Sequence, residues 1–76
     1  MKKPKYYLEV IKTKKKSPTN QFYWREVEKN KSYPDGINVL CFSLGYDTLQ
    51  NATKMMKRNN KKRIVKLKMF YGDKEL

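Results

Sequence analysis

Ser43-Leu44-Gly45-Tyr46-Asp47-Thr48-Leu49-Gln50-Asn51-Ala52 is the stretch in which the hydrophobic period of this chain changes. Apolar residues alternate from Val39 to Leu44, stop at Gly45, and resume at Leu49 with the spacing of a helix face. Thr48, preceded by Asp47, offers a side-chain oxygen to the unpaired N–H groups that open a helix. A strand therefore hands over to a helix within a few residues. The chain before this point reads as a hairpin-linked sheet, and the chain after it as one helix and a last strand.

Working back from Leu44, the third strand spans Ile37–Leu44, with Leu40, Phe42 and Leu44 on one face and Val39, Cys41 and Ser43 on the other. Pro34-Asp35-Gly36 is a turn signal with glycine in a left-handed position. Before it, Gln21–Lys29 is a strand dense in aromatics. Alternation puts Phe22, Trp24, Glu26 and Glu28 on one side and Tyr23, Arg25 and Val27 on the other, and does not decide which side meets the core. Lys14–Asn20 is a loop, because Pro18 removes a ladder donor. Lys5–Thr13 is the first strand, apolar on both faces.

Forward from Thr48, Leu49, Ala52, Met55 and Met56 form an apolar stripe, and Lys54, Lys57 and Arg58 lie outside it. Asn59-Asn60 ends the helix and Lys61-Lys62-Arg63 links it to Arg63–Tyr71, whose alternation is the cleanest in the chain. There Val65, Leu67, Met69 and Tyr71 face the core, while Lys66 and Lys68 face water. Residues 1–4 and 72–76 read as frayed ends.

The expected fold is a single α+β domain over residues 1–76, in the order β-β-β-α-β, with an antiparallel sheet and one helix packed on one face. Seventy-six residues build only one core. The helix-facing set is Tyr6, Leu8, Val10, Phe22, Trp24, Leu40, Phe42, Leu44, Leu49, Ala52, Met55, Val65, Leu67 and Met69. Tyr7, Tyr23, Arg25, Val27, Lys66 and Lys68 occupy the open sheet face. Val65–Tyr71 also offers an edge through which a second copy could pair, giving a homodimer through the fourth strand.

Charge carries most of the functional information. The chain has 19 Lys+Arg and 7 Asp+Glu, a net charge of +12. Residues 1–20 carry +6, residues 21–50 carry −1 and residues 51–76 carry +7, so the two ends are basic and the middle nearly neutral. Such an excess repels itself and points to an anionic partner. A lysine-rich solvated surface is the plain alternative.

The chemistry that composition disfavours is as informative. There is no histidine, the usual general base and commonest metal ligand, and one cysteine, Cys41. No pair of the seven acids sits in a recognisable motif, and no nucleophile–base pair or metal-ligand cluster can be assembled. An enzyme, a cofactor and a bound metal are therefore not expected. No apolar run of membrane-spanning length occurs, and a single cysteine suits a cytoplasmic, reducing location.

Tyr23-Trp24-Arg25, a turn with Gly36, and Ser43-x-Gly45-Tyr46-x-Thr48-x-x-x-Ala52 resemble two groups of small domains. One is the YegP-like family of small bacterial proteins. The other is the arm-type DNA-binding domain of phage and transposon tyrosine recombinases. The resemblance covers roughly residues 21–58. The chain departs from both at Ser32–Asp35, which lengthens the second hairpin, and in its additional fourth strand. The second resemblance implies a sheet face that enters the DNA major groove.

Two functions are expected from this. The first is a non-enzymatic nucleic-acid-binding protein of phage or mobile-element type, contacting DNA in preference to RNA. Its candidate residues are Lys12, Lys14, Lys15, Lys16, Lys61, Lys62, Arg63, Lys66 and Lys68 on phosphates, with Tyr23 and Arg25 reaching bases. The second is a basic protein that binds and blocks an acidic host protein. No membrane partner is expected.

Overall fold

The handover falls at Thr48. In the computed structural model, which describes residues 3–14, 16, 19–63 and 66–76, Thr48 is extended at φ −131°, ψ 154°. Its Oγ1 accepts the Asn51 N–H at 3.1 Å. Helix α1 then runs Leu49–Asn59. Asn60 closes it: its backbone N–H and its side-chain Nδ2 both donate to the Met56 carbonyl, at 3.1 and 2.9 Å.

The strands are β1 (Tyr6–Lys12), β2 (Phe22–Lys29), β3 (Ile37–Phe42), β4 (Lys68–Tyr71) and β5 (Lys74–Glu75). They form one sheet in the order β3-β2-β1-β4-β5. The fold is a small compact α+β domain, but its sheet is mixed. β1 pairs antiparallel with β2, β2 antiparallel with β3, and β1 parallel with β4.

The expectation of an antiparallel sheet failed for a topological reason. A strand followed by a helical crossover lands its successor parallel. α1 leaves β3, crosses β2 and β1, and delivers β4 on the far side of β1, in the same direction as β3 and β1. β4 begins later than the Arg63–Tyr71 reading, because Arg63 and Lys66 lie in turns; Ile64 and Val65 of that reading lie outside the described residues. β4 is not an edge either. β1 takes one side of it and β5 the other, so the dimer edge assigned to the fourth strand is occupied. The tail read as frayed carries β5, turned back by Gly72 at φ 58°.

Two apolar clusters sit on opposite faces of the sheet. On the helix side, Leu8, Val10, Trp24, Ala52 and Met56 are buried, with Phe22, Leu49, Leu67 and Met69 packed around them. Trp24 and Phe22 face the helix, which settles the phase of β2. Met56, rather than Met55, is the fully buried methionine of the stripe. On the other face Tyr7, Val27 and Phe70 make a smaller cluster with Ile37 against it. The Tyr7 and Phe70 rings meet edge to face at 5.6 Å. Fully burying Leu8, Val10, Val27, Met56 and Phe70 contributes about 1.5–3 kcal/mol for each.

β3 departs most from expectation. Leu40, Phe42 and Leu44, assigned to the core, are 46%, 74% and 86% exposed. The register explains this: Val27 pairs with Val39 while Glu26 pairs with Cys41, so Leu40 is an extra residue in a bulge. A one-residue shift inverts every later side chain. Phe42 is thereby carried opposite Arg25, to the face away from the helix. Tyr6, also assigned to the core, is 42% exposed at the start of β1.

The chain past β3 stays tied to β2. Ser43 N–H donates to the Trp24 carbonyl at 2.8 Å, and Tyr46 and Phe22 exchange backbone hydrogen bonds. Gly45 is required here by close approach: a Cβ at this position would lie 2.7 Å from Asn20 Cβ.

Candidate nucleic-acid interface

The sequence-predicted cations fall into two groups at opposite ends of the sheet. Lys12, Lys14 and Lys16 lie at the C-terminal end of β1 and in the loop beyond it, all exposed; Lys15 lies outside the described residues. Lys61, Lys62, Arg63 and Lys66 are exposed in the turns that precede β4. β4 is parallel to β1 and opens beside Tyr7 with Lys68, so this second group lies at the N-terminal end of β1. Seven residues of extended strand separate the groups by about 20 Å.

Topology adds cations that the sequence did not bring to this second end. Lys5 precedes β1, Lys31 sits in the turn after β2, and both are exposed. Arg58, near the end of α1, lines a shallow groove with Lys61, Lys62 and Arg63. Only the parallel placement of β4 could have revealed this gathering, and no local pattern encodes it.

Among the described residues two carboxylates are turned inward. Glu9, on β1, is buried between two cations. Lys3 Nζ donates to Oε1 at 2.8 Å, and Arg25 donates to Oε2 through Nη2 at 3.0 Å and Nε at 3.3 Å. Lys3 Nζ also stands 5.2 Å from the Tyr7 ring centroid. Glu26 is buried on the helix side, where Arg63 bonds to it. That bond, reinforced by the carboxylate charge, raises the Arg63 guanidinium further above its ordinary value. Lys68 reaches Glu75 at 3.9 Å across an exposed surface.

Tyr23 and Arg25 do share the face away from the helix, as alternation predicted. Arg25 is not a free arm, because Glu9 holds two of its three nitrogens and leaves Nη1 for a further acceptor. Beside it lies an open groove of about 470 Å³, lined by Tyr23, Arg25, Val39, Phe42, Asn20 and Gly45 among others. The aromatic rings of Tyr23 and Phe42 on this surface offer flat apolar area next to a fixed guanidinium.

At the N-terminal end of β1, Tyr6 Oη donates to Glu28 Oε2 at 2.8 Å. This hydrogen bond, then the carboxylate charge, pushes the Tyr6 phenol up. The same bond holds the Glu28 carboxyl below its ordinary value, with Asn38 and Asn30 adding to the effect. Buried Tyr7 is raised as well, chiefly by desolvation.

Among the described residues no group of His, Cys, Asp and Glu side chains is placed to hold a metal ion, and no helix is long and apolar enough to cross a membrane. Comparison with protein-family models, curated proteins and solved structures found no match.

Proposed function

We propose that this protein binds nucleic acid, duplex DNA in preference to RNA, by setting the sheet face that carries Tyr23 and Arg25 into the major groove. The observation that carries this reading is the placement of charge. Exposed cations stand at both ends of the sheet, about 20 Å apart, with an aromatic and guanidinium surface between them. A major groove is about 12 Å wide and admits a β-ribbon or sheet face, so the two ends would reach the flanking phosphate strands. Glu9 and Glu26 face inward and are neutralised there by Lys3, Arg25 and Arg63, so the lysines at the two ends of the sheet keep their charge for an outside anion.

In this arrangement the lysines displace counterions and supply affinity, while Arg25 and Tyr23 touch base edges. The Glu9 carboxylate fixes the guanidinium plane before DNA arrives, which lowers the entropy lost on contact. No covalent chemistry is involved, and no cofactor.

The test is a fluorescence-anisotropy titration of duplex DNA at several salt concentrations. If about six cations meet phosphates, the log–log salt slope is roughly −5. Lys14/Lys16→Ala and Lys61/Lys62→Ala each make the slope shallower by about 2, since they remove contacts at different ends. Arg25→Lys keeps the charge against Glu9 but loses the planar fork, and it reduces discrimination between duplex sequences more than overall affinity. No saturable binding at low salt would overturn the reading and favour an acidic protein as the partner.

A further inference from the structure

From Gly36 to Tyr46 there is no charged residue, in a chain with 19 Lys+Arg and 7 Asp+Glu. This stretch contains β3, the strand at one edge of the sheet. Every other strand carries a lysine: Lys12 in β1, Lys29 in β2, Lys68 in β4 and Lys74 in β5. Lysine on an edge is the usual guard against pairing with another chain, and among the described strands β3 alone lacks it. The same edge exposes Val39 at 40%, Leu40 at 46% and Phe42 at 74%, and Leu44 follows at 86%. A contiguous apolar patch of this kind marks an interaction surface.

We infer that this edge docks a second copy of the same chain, with β3 antiparallel to its mate about a two-fold axis. The charge distribution selects this occupant. An acidic partner would be drawn to the lysine-bearing ends of the sheet rather than to its one neutral strand. Two copies each carrying +12 can approach only where neither presents charge. β3 starts beside Lys29, at the end of the sheet that gathers Lys61, Lys62 and Lys66. Antiparallel pairing sets the Lys61, Lys62 and Lys66 end of one copy at the same end of the enlarged sheet as Lys12, Lys14 and Lys16 of the other, so the apolar contact forms against a repulsion that salt screens.

The surface is also self-complementary, as a two-fold interface must be. Val39 and Phe42 both lie on the face away from the helix, so Phe42 can sit opposite Val39 of the second copy, and the reverse. The bulge at Leu40 interrupts the ladder in the middle of the strand, so main-chain pairing is short and side-chain cover contributes the remainder. Six strand residues with a bulge among them make a small interface, so the dimer is expected to be weak and concentration-dependent. Dimerisation through β3 does not depend on nucleic-acid binding.

Sedimentation velocity of the full chain across a wide range of protein concentration, at a salt concentration that screens charge, tests it. The weight-average mass rises from one chain toward two as concentration increases. Phe42→Lys weakens association at least tenfold, whereas Gln50→Lys, which adds the same charge on the exposed start of α1, dimerises like the wild type. Leu44→Lys, beyond the end of the strand, repeats the test should Phe42→Lys perturb the fold by circular dichroism. Hydrogen exchange of residues 37–42 slows as concentration rises. A wild type that stays at the mass of one chain throughout overturns the inference. So does a dimer that both lysine variants leave intact, or protection of residues 37–42 that appears only when duplex DNA is added.

Discussion

β1 and β3 run in the same direction in one sheet, separated only by β2. By composition β3, INVLCF, is the more apolar of the two, while β1, YYLEVIK, carries Glu9 and Lys12. Burial runs the other way. Tyr7, Leu8, Glu9 and Val10 are buried, and no residue of β3 is. Position accounts for the inversion. β1 has β2 on one side, β4 on the other, α1 over one face and the Tyr7–Val27–Phe70 cluster on the other. β3 has β2 alone, and α1 crosses away from it toward β1. Burial is set by neighbours, and a charged residue with two ion-pair partners can sit deeper than a leucine at an edge.

The largest effect that could break this contrast comes from the same substitution made on both strands. Leu8→Ala on β1 costs about 3 kcal/mol, since a fully buried leucine leaves a cavity under α1. Leu40→Ala on β3 costs about 0.5 kcal/mol or less at protein concentrations too low for association. Urea denaturation of the two variants decides it. Equal losses would mean that the outer side of β3 is covered within the single chain.

A smaller effect examines the charge buried on β1. Glu9→Gln keeps the shape but leaves Lys3 and Arg25, both largely shielded from water, without their common carboxylate. The expected loss is about 2 kcal/mol in urea denaturation. Glu9→Gln/Arg25→Met, which removes the carboxylate and one of its cations, recovers part of that loss. A double variant no better than the single one would show that Arg25 owes nothing to Glu9.

The same contrast explains how much of the molecule was legible in its sequence. The handover at Thr48, the helix bounds near Leu49 and Asn59, and the turn at Gly36 follow from local period and capping chemistry. The inward phase of Phe22 and Trp24 does not: alternation leaves it open, and the packing of α1 sets it. The exposure of Phe42 does not follow either, because the bulge at Leu40 leaves no mark on the alternation of β3. Nor does the parallel return of β4, since its sequence alternates identically beside either kind of neighbour. For the candidate interface, alternation put Tyr23 and Arg25 on one face. It could not show that Arg25 leans on Glu9, sixteen positions earlier, or that the basic segments lie at opposite ends of the sheet. Those facts depend on strand order, which is a property of the whole chain.

The smallest effect joins the two strands. Tyr6 of β1, Glu28 of β2 and Asn38 of β3 lie in register across the sheet. The Tyr6 hydrogen bond raises the phenol above 10.0 and lowers the Glu28 carboxyl below 4.5. The raised phenol stabilises the fold below its ordinary range, and that contribution is lost as pH rises through the raised value. The lowered carboxyl stabilises it above its ordinary range, and that contribution is lost as pH falls through the lowered value. The stability difference between wild type and Tyr6→Phe should therefore be flat between about 4.5 and about 10, and should shrink at both extremes. Asn38→Ala removes only a lesser bond to Glu28, so its difference from wild type shrinks on the acid side alone. Urea midpoints across the pH range read both. A Tyr6→Phe difference that is the same at every pH would show that the bond is not formed in solution, and that β1 and β3 are linked through β2 backbone alone.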